Sequence, residues 1–113
     1  MLFRSTLTKR ADFLRAASAR RQSTPSFLLQ ARLRDTGPGI RVGYTCSKKL
    51  GNAVARNRAK RRLREAARLV LLRQGRPGWD YVLVGRPEAT ANRPFDQMLA
   101  DLSRALTQIH ARP

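Results

Sequence analysis

Acidic residues are scarce in this chain: seven Asp and Glu stand against 24 Lys and Arg among 113 residues. The shortfall leaves a formal net charge of +17. Charge of that size penalises the compact state by self-repulsion unless a counter-charge is bound. A nucleic acid backbone suits it best, because Lys and Arg release counterions when they neutralise phosphates. Cysteine is nearly absent too. Cys46 is alone, so no disulfide can close within the chain, which fits a reducing compartment, the cytoplasm. Cys46 reads as a small buried apolar residue. A catalytic thiol needs a nearby base, and the one histidine, His110, is far away in sequence. No run approaches the roughly 18 apolar residues of a membrane span. Aromatic anchors of the kind that seat a peripheral protein on a membrane are missing beside the basic residues.

Missing motifs exclude chemistry as well. The acids are Asp12, Asp35, Glu65, Asp80, Glu88, Asp96 and Asp101. None forms a DxD, ExxH or HExxH spacing that holds a metal or pairs an acid with a base. There is no CxxC pair, no Walker-type phosphate loop and no GxSxG elbow. No catalytic residue, metal ligand or cofactor is therefore expected in the polypeptide. If the chain takes part in an enzyme, it does so by binding and positioning.

What the chain does have is concentrated in residues 47–68, SKKLGNAVARNRAKRRLREAAR, with nine Lys or Arg and one acid, Glu65. Ala59, Leu63, Ala66, Ala67 and Val70 recur at helical spacing and make one apolar face. Asn57, Arg58, Arg61, Arg62, Arg64, Glu65 and Arg68 spread over the opposite arc. One side can dock on a core while the other presents guanidiniums, planar multidentate donors suited to phosphate. A merely solvated face mixes its signs. This one does not, so it reads as a polyanion-binding face.

The rest of the chain frames that helix. Thr8 can cap a short helix carrying Phe13, Ala16, Ala17 and Arg20 on one face, broken at Ser23, Thr24 and Pro25. Residues 26–34 alternate, with Phe27, Leu29, Ala31 and Leu33 on one side and Leu28, Gln30 and Arg32 on the other. Residues 40–47 alternate likewise, and the Gly/Pro cluster at 35–39 between them predicts an antiparallel hairpin. Its second face is small and polar, unfit for a packed core but able to floor an open cleft. The basic helix should run to about Arg73, with Gly75 as its C-terminal cap. The apolar run at 81–85 predicts a central strand. Pro94 can open a last helix whose stripe is Phe95, Met98, Leu99, Leu102, Leu106 and Ile109. The order is helix, strand, strand, helix, strand, helix in one domain over 1–113, an α/β fold with a βαβ unit.

These residues carry a family likeness. GYTCSKKLGNAVARNRAKRRLREAAR resembles the signature of the bacterial ribonuclease P protein subunit: a strand ending in Ser47-Lys48-Lys49, then Gly51-Asn52-Ala53-Val54, then Arg56-Asn57-Arg58-Ala59-Lys60-Arg61 on a helix. Ala11-Asp12-Phe13 and the segment from Asp80 to Pro87 agree as well, so the resemblance covers essentially the whole chain in order. It assigns to the fold an Arg- and Ser-rich N-terminal stretch whose composition is otherwise that of a transit peptide.

The resemblance implies a two-layer α/β sandwich with a left-handed βαβ crossover, against the usual right-handed rule. It implies a catalytic RNA subunit as partner, one protein per RNA, and precursor tRNA as substrate. Together they remove the 5′ leader endonucleolytically, with Mg2+ and the RNA performing the hydrolysis and no cofactor in the protein. With the arc above, the RNA-binding set is Lys48, Lys49, Arg56, Asn57, Arg58, Lys60, Arg61, Arg62, Arg64 and Arg68. Phe13, Ala17, Gln30 and Arg86 fall in the leader cleft. Ala17 stands where the family often has a second aromatic, and Gln30 where some members have Tyr, so the cleft offers less stacking area. The alternatives are a small ribosomal or RNA-chaperone protein without a role in catalysis, and a DNA-binding architectural protein. Composition does not separate them; the ordered motifs favour the first reading.

Overall fold

In the computed structural model, which describes residues 4–34, 37 and 39–111, the elements are β1 (Arg4–Thr6), α1 (Arg10–Ala17), β2 (Arg20–Ser23), β3 (Phe27–Leu33), β4 (Ile40–Thr45), a 3-10 turn (Lys48–Leu50), α2 (Ala53–Gln74), β5 (Trp79–Gly85), α3 (Ala89–Asn92) and α4 (Phe95–Ala111). The strands form one five-stranded sheet in the order β1-β4-β5-β3-β2. Tyr81 and Leu83 of β5 are buried on one face and Val82 on the other. A strand that is apolar on both sides belongs in the middle of a sheet.

That preference overturns the expected hairpin. β3 and β4 do not pair, because β5 lies between them, antiparallel to β3 and parallel to β4. A short Gly/Pro loop joins two alternating strands equally well when it steps over a neighbour. Arg34 braces this loop, donating to the carbonyls of Gly37 at 3.3 Å and Gly39 at 2.9 Å. Both glycines hold positive φ, 83° and 85°, where a Cβ would be strained. Asp35, Thr36 and Pro38 of the predicted turn lie outside the described residues.

The first helix is also shorter than the pattern predicts. Its N-cap is Lys9, with no side-chain capping bond, rather than Thr8, and it ends at Ala17. Residues Arg20–Ser23 leave it to pair with β3 as an edge strand. Arg20, expected on the helix face, instead lies 5.2 Å from the centroid of the Trp79 ring and donates to the Ile109 carbonyl at 2.8 Å.

α2 and α4 cover one face of the sheet. Leu63, Ala66, Ala67, Val70 and Leu71 of α2, with Met98, Leu102, Leu106 and Ile109 of α4, pack on Phe27, Leu29, Ile40, Val42, Tyr81 and Leu83. β4, α2 and β5 are the predicted βαβ unit, with β4 and β5 adjacent and parallel. Asn52 starts α2, its Oδ1 accepting the Ala55 N–H at 2.9 Å. Gly75 ends it for reasons of space, since its φ is −68°. A Cβ there would sit 2.5 Å from Ile40 Cδ1 and 2.7 Å from the Leu71 carbonyl oxygen.

His110 is a packing residue. The Tyr81 hydroxyl accepts the Arg76 N–H at 2.9 Å and lies 2.7 Å from His110 Nε2, in a hydrogen bond whose direction follows the ring tautomer. Burial, with the charges of Arg76 and Arg20, lowers His110 to about 4. The ring is neutral at pH 7 and only weakly basic, which suits packing better than proton abstraction.

Candidate nucleic-acid interface

The opposite face of the sheet is only partly covered. Its side chains form three rows across the strands: Arg41, Asp80 and Arg32; then Gly43, Val82, Gln30 and Arg21; then Thr45, Val84, Leu28 and Ser23. α1 lies over the first two rows. Ala16 and Leu7 are buried with Val82, and half-buried Phe13 and Val84 pack beside them. Gly43 makes room for the Phe13 ring: a Cβ there would lie 2.6 Å from Phe13 Cε1. Gln30 is 8% exposed and makes no side-chain hydrogen bond among the described residues.

The third row stays open. Arg21, Ser23, Leu28, Val84, Gly85, Arg86 and Pro87 line a groove of about 640 Å³. The Arg86 guanidinium donates to Ser23 Oγ, and its Nε has no partner among the described residues. Of the four residues expected in the cleft, Arg86 lines this groove. Phe13 and Gln30 occupy the adjacent row of the same face, and Ala17 is half-buried near the end of α1. Arg21 and Ser23 escape sequence reading because they reach the groove only through β2. At the other end of α1, Lys9, Arg15, Arg32, Arg34 and Arg41 line a second basic concavity with Asp12.

Asp80 anchors that end. Its carboxylate is fully buried and accepts from Arg34 Nη1 at 2.6 Å and from Arg41 Nε and Nη2 at 2.8 and 2.7 Å. Asp12 adds an ion pair to Arg41 at 3.4 Å and one to Arg15 at 3.1 Å. These two acids are committed to holding arginines in place. Among the described residues no three His, Cys, Asp or Glu cluster as metal ligands would.

The outer arc of α2 and the turn before it supply the larger positive surface. Lys48, Lys49, Asn57, Arg58, Lys60, Arg61, Arg64 and Arg68 are exposed, and Arg56 is half-buried. No acid lies in the first turn of α2, so basic side chains crowd the positive end of the helix dipole, an arrangement that an anion relieves. Arg56, Asn57 and Lys60 share a cavity of about 260 Å³ with Tyr44 and Cys46. Burial pushes the Cys46 thiol up, Lys60 pulling the other way, which keeps it protonated and inert. The Arg64 guanidinium lies 5.7 Å from the Tyr44 ring centroid, and Arg68 pairs with Glu65.

Arg62 behaves differently from its neighbours. Its Nε donates to the Thr90 carbonyl at 2.9 Å and its Nη2 to the Arg93 carbonyl, with the guanidinium 5.7 Å from the Phe95 ring centroid. Sequence places Arg62 with the RNA-facing set; in the fold it fastens α2 to α3 and the start of α4.

Arg86 borders two concavities. It lies on the wall of the sheet groove and also lines a smaller pocket of about 210 Å³ with Leu50, Ala55 and Ala59 beside the N-terminal half of α2. No helix of the described residues is long and apolar enough to cross a membrane.

Comparison with known proteins agrees with the motifs. The family model described as Ribonuclease P matches residues 2–110. A Ribonuclease P protein component from Ruegeria pomeroyi is 71% identical over 109 residues, covering 95% of this chain and 87% of the relative. One from Caulobacter vibrioides is 50% identical over 106 residues, covering 93% and 70%. Among solved structures, the Staphylococcus aureus RNase P protein matches with a TM-score of 0.75 at 27% identity over 91% of this chain and 93% of that one. The Thermotoga maritima RNase P protein matches with a TM-score of 0.73 at 23% identity over 88% and 92%, a likeness of fold.

Proposed function

Because the chain belongs to the ribonuclease P protein family, whose role is tRNA 5′ processing within an endoribonuclease complex, we propose that it binds the catalytic RNA subunit through the outer arc of α2 and holds the 5′ leader of precursor tRNA against the open face of the sheet. The observation that carries this reading is the position of Arg86, which lines both the sheet groove and the pocket beside Leu50, Ala55 and Ala59 at the N-terminal half of α2. A single strand needs cations along its backbone and an apolar floor for its bases. The RNA subunit docks by its phosphates on Lys48, Lys49, Arg56, Asn57, Arg58, Lys60, Arg61, Arg64 and Arg68. Phe13, Ala17, Gln30 and Arg86 bound the leader, joined by Arg21 and Ser23. Magnesium enters with the RNA. The protein positions the substrate, one copy per RNA, in the cytoplasm.

The direct test is reconstitution. Protein alone should leave precursor tRNA intact. Cognate RNA subunit and Mg2+ together with the protein should release the leader at the mature 5′ end. Correctly placed cleavage by RNA-free protein would overturn the reading.

Adjacent arginines provide a finer test. Arg61 is exposed and forms no side-chain hydrogen bond or ion pair among the described residues. Arg61→Ala should weaken binding to the RNA subunit and make the salt dependence shallower, by about 0.7–0.9 in log–log slope for one lost phosphate contact. Arg62→Ala should instead lower the melting temperature and leave the slope unchanged, because its donors go to Thr90 and Arg93. Titrating both variants at several salt concentrations distinguishes the two roles; equal slopes would return Arg62 to the RNA-facing set.

A further inference from the structure

We infer that Thr90 is a positioning residue through which α2 and the sheet fix Arg86 in the leader groove, an inference that rests on the groove reading above. Thr90 is fully buried. Its Oγ1 donates to the Ser26 carbonyl at 2.6 Å and accepts the backbone N–H of Arg86 at 2.7 Å. Its own carbonyl accepts Arg62 Nε at 2.9 Å. The entry to β3, the exit from β5 and the RNA-facing helix are thus tied at one residue.

The geometry explains why Arg86 depends on this tie. Its guanidinium has one side-chain partner, Ser23, and its Nε has none among the described residues. One hydroxyl partner and one buried donor without any are weak anchors for a guanidinium. They leave the direction of the side chain to its backbone, which Thr90 clamps. The turn that brings Thr90 back over Ser26 includes Glu88 at φ 64°, a costly conformation for a residue with a Cβ. The Thr90 hydroxyl bonds hold that turn closed. Arg62, one residue from exposed Arg61, reaches the same turn from α2. A bonded network therefore runs from the RNA-facing helix to the leader groove, the kind of connection along which two sites can be coupled.

The test uses reconstituted holoenzyme and reads the affinity for precursor tRNA relative to mature tRNA. Four variants are needed: Thr90→Val, Thr90→Ser, Arg86→Ala and the double variant Thr90→Val with Arg86→Ala. Thr90→Val should lower the precursor preference by about fivefold or more, Thr90→Ser should restore it, and affinity for the RNA subunit should not change. The double variant should be no worse than Arg86→Ala, because Thr90 acts through Arg86. The ratio compares two ligands on the same assembly, so a smaller folded fraction does not move it. Thr90→Ala gives the same readout if the Val variant fails to assemble. A preserved ratio in the variants lacking the hydroxyl, or losses that add to that of Arg86→Ala, would overturn the inference. If Arg86→Ala itself keeps the wild-type ratio, the groove reading fails and this inference falls with it.

Discussion

Asp80→Ala is expected to destabilise the protein by about 3–5 kcal/mol, the usual cost of removing one partner from a buried ion pair. The Asp80 carboxylate is fully buried between Arg34 and Arg41, with Arg32 Nη1 at 3.7 Å. The Arg34 side chain is only 7% exposed. Without Asp80 it keeps carbonyl acceptors, Trp79 at 3.0 Å and the loop glycines, but loses the buried carboxylate 2.6 Å from its Nη1. Asp80→Asn retains the volume and one acceptor and should lose less. Urea unfolding of the free protein measures both. A loss below about 1 kcal/mol for the Ala variant would mean that the cluster behaves as an ordinary surface ion pair.

The same cluster fixes the acid limb of the stability curve. Burial alone raises the Asp80 pKa, but hydrogen bonds from Arg41 and Arg34 and their charges outweigh it and hold the carboxyl below its ordinary value. The folded state then binds fewer protons than the unfolded chain. The stabilisation is fully present above the unfolded carboxyl pKa of about 3.9 and is lost as pH falls through the lower folded value. His110 has the same sign at higher pH: its folded value of about 4 lies under 6.5. Its contribution is whole above pH 6.5 and is lost as pH falls through about 4. Stability should therefore decline first with the His110 mismatch and then with Asp80. In Asp80→Asn the second decline should be shallower.

Periodicity alone could not reveal Asp80 as an anchor, since an isolated acid in a basic chain has no pattern. What patterns do reveal is burial. The apolar stripes of α2 and α4 and the run at Tyr81, Val82 and Leu83 were legible because core contacts repeat at the period of each element. β1 and β2, with sequences RST and RRQS, were not. They join the sheet by backbone pairing at its edges, which asks nothing of side-chain alternation. The hairpin was misread because alternation fixes which face a residue takes, and leaves open which strand lies beside it. The site divides along the same line. The basic arc follows from helical angle, so its exposed arginines were found. Arg62 shares that arc, yet its guanidinium turns under α3, a contact with a segment 28 residues away that no helical wheel contains. The groove wall at Arg21 and Ser23 depends on β2 and was hidden with it.

Phe13 offers the sharpest separation of binding from folding. Its ring is half-buried, packed against Gly43 and beside Leu7, Ala16 and Val82. The row beneath it contains Gln30, and the open groove begins one row further along the strands, about 7 Å away. A ring so placed can stack on a leader base while its other side rests on the sheet. Phe13→Ala should weaken precursor tRNA binding to the holoenzyme by roughly 1–3 kcal/mol and leave mature tRNA and RNA-subunit binding unchanged. Because the ring is only half-buried, the stability loss should be about 2 kcal/mol, below the 3–5 kcal/mol of a fully buried phenylalanine. Gly43→Ala tests the same contact from the other side. Its Cβ would meet Phe13 Cε1 at 2.6 Å and Leu7 Cβ at 3.1 Å, so the ring must swing away although its chemistry is intact. That variant should lose precursor preference as Phe13→Ala does. Combined with Phe13→Ala, which vacates the space, it should add little further loss of either preference or stability. If Phe13 were only a core residue, Phe13→Ala would cost the full 3–5 kcal/mol and weaken every interaction together. An unchanged precursor-to-mature ratio in well-folded Phe13→Ala and Gly43→Ala proteins would remove the ring from the leader path.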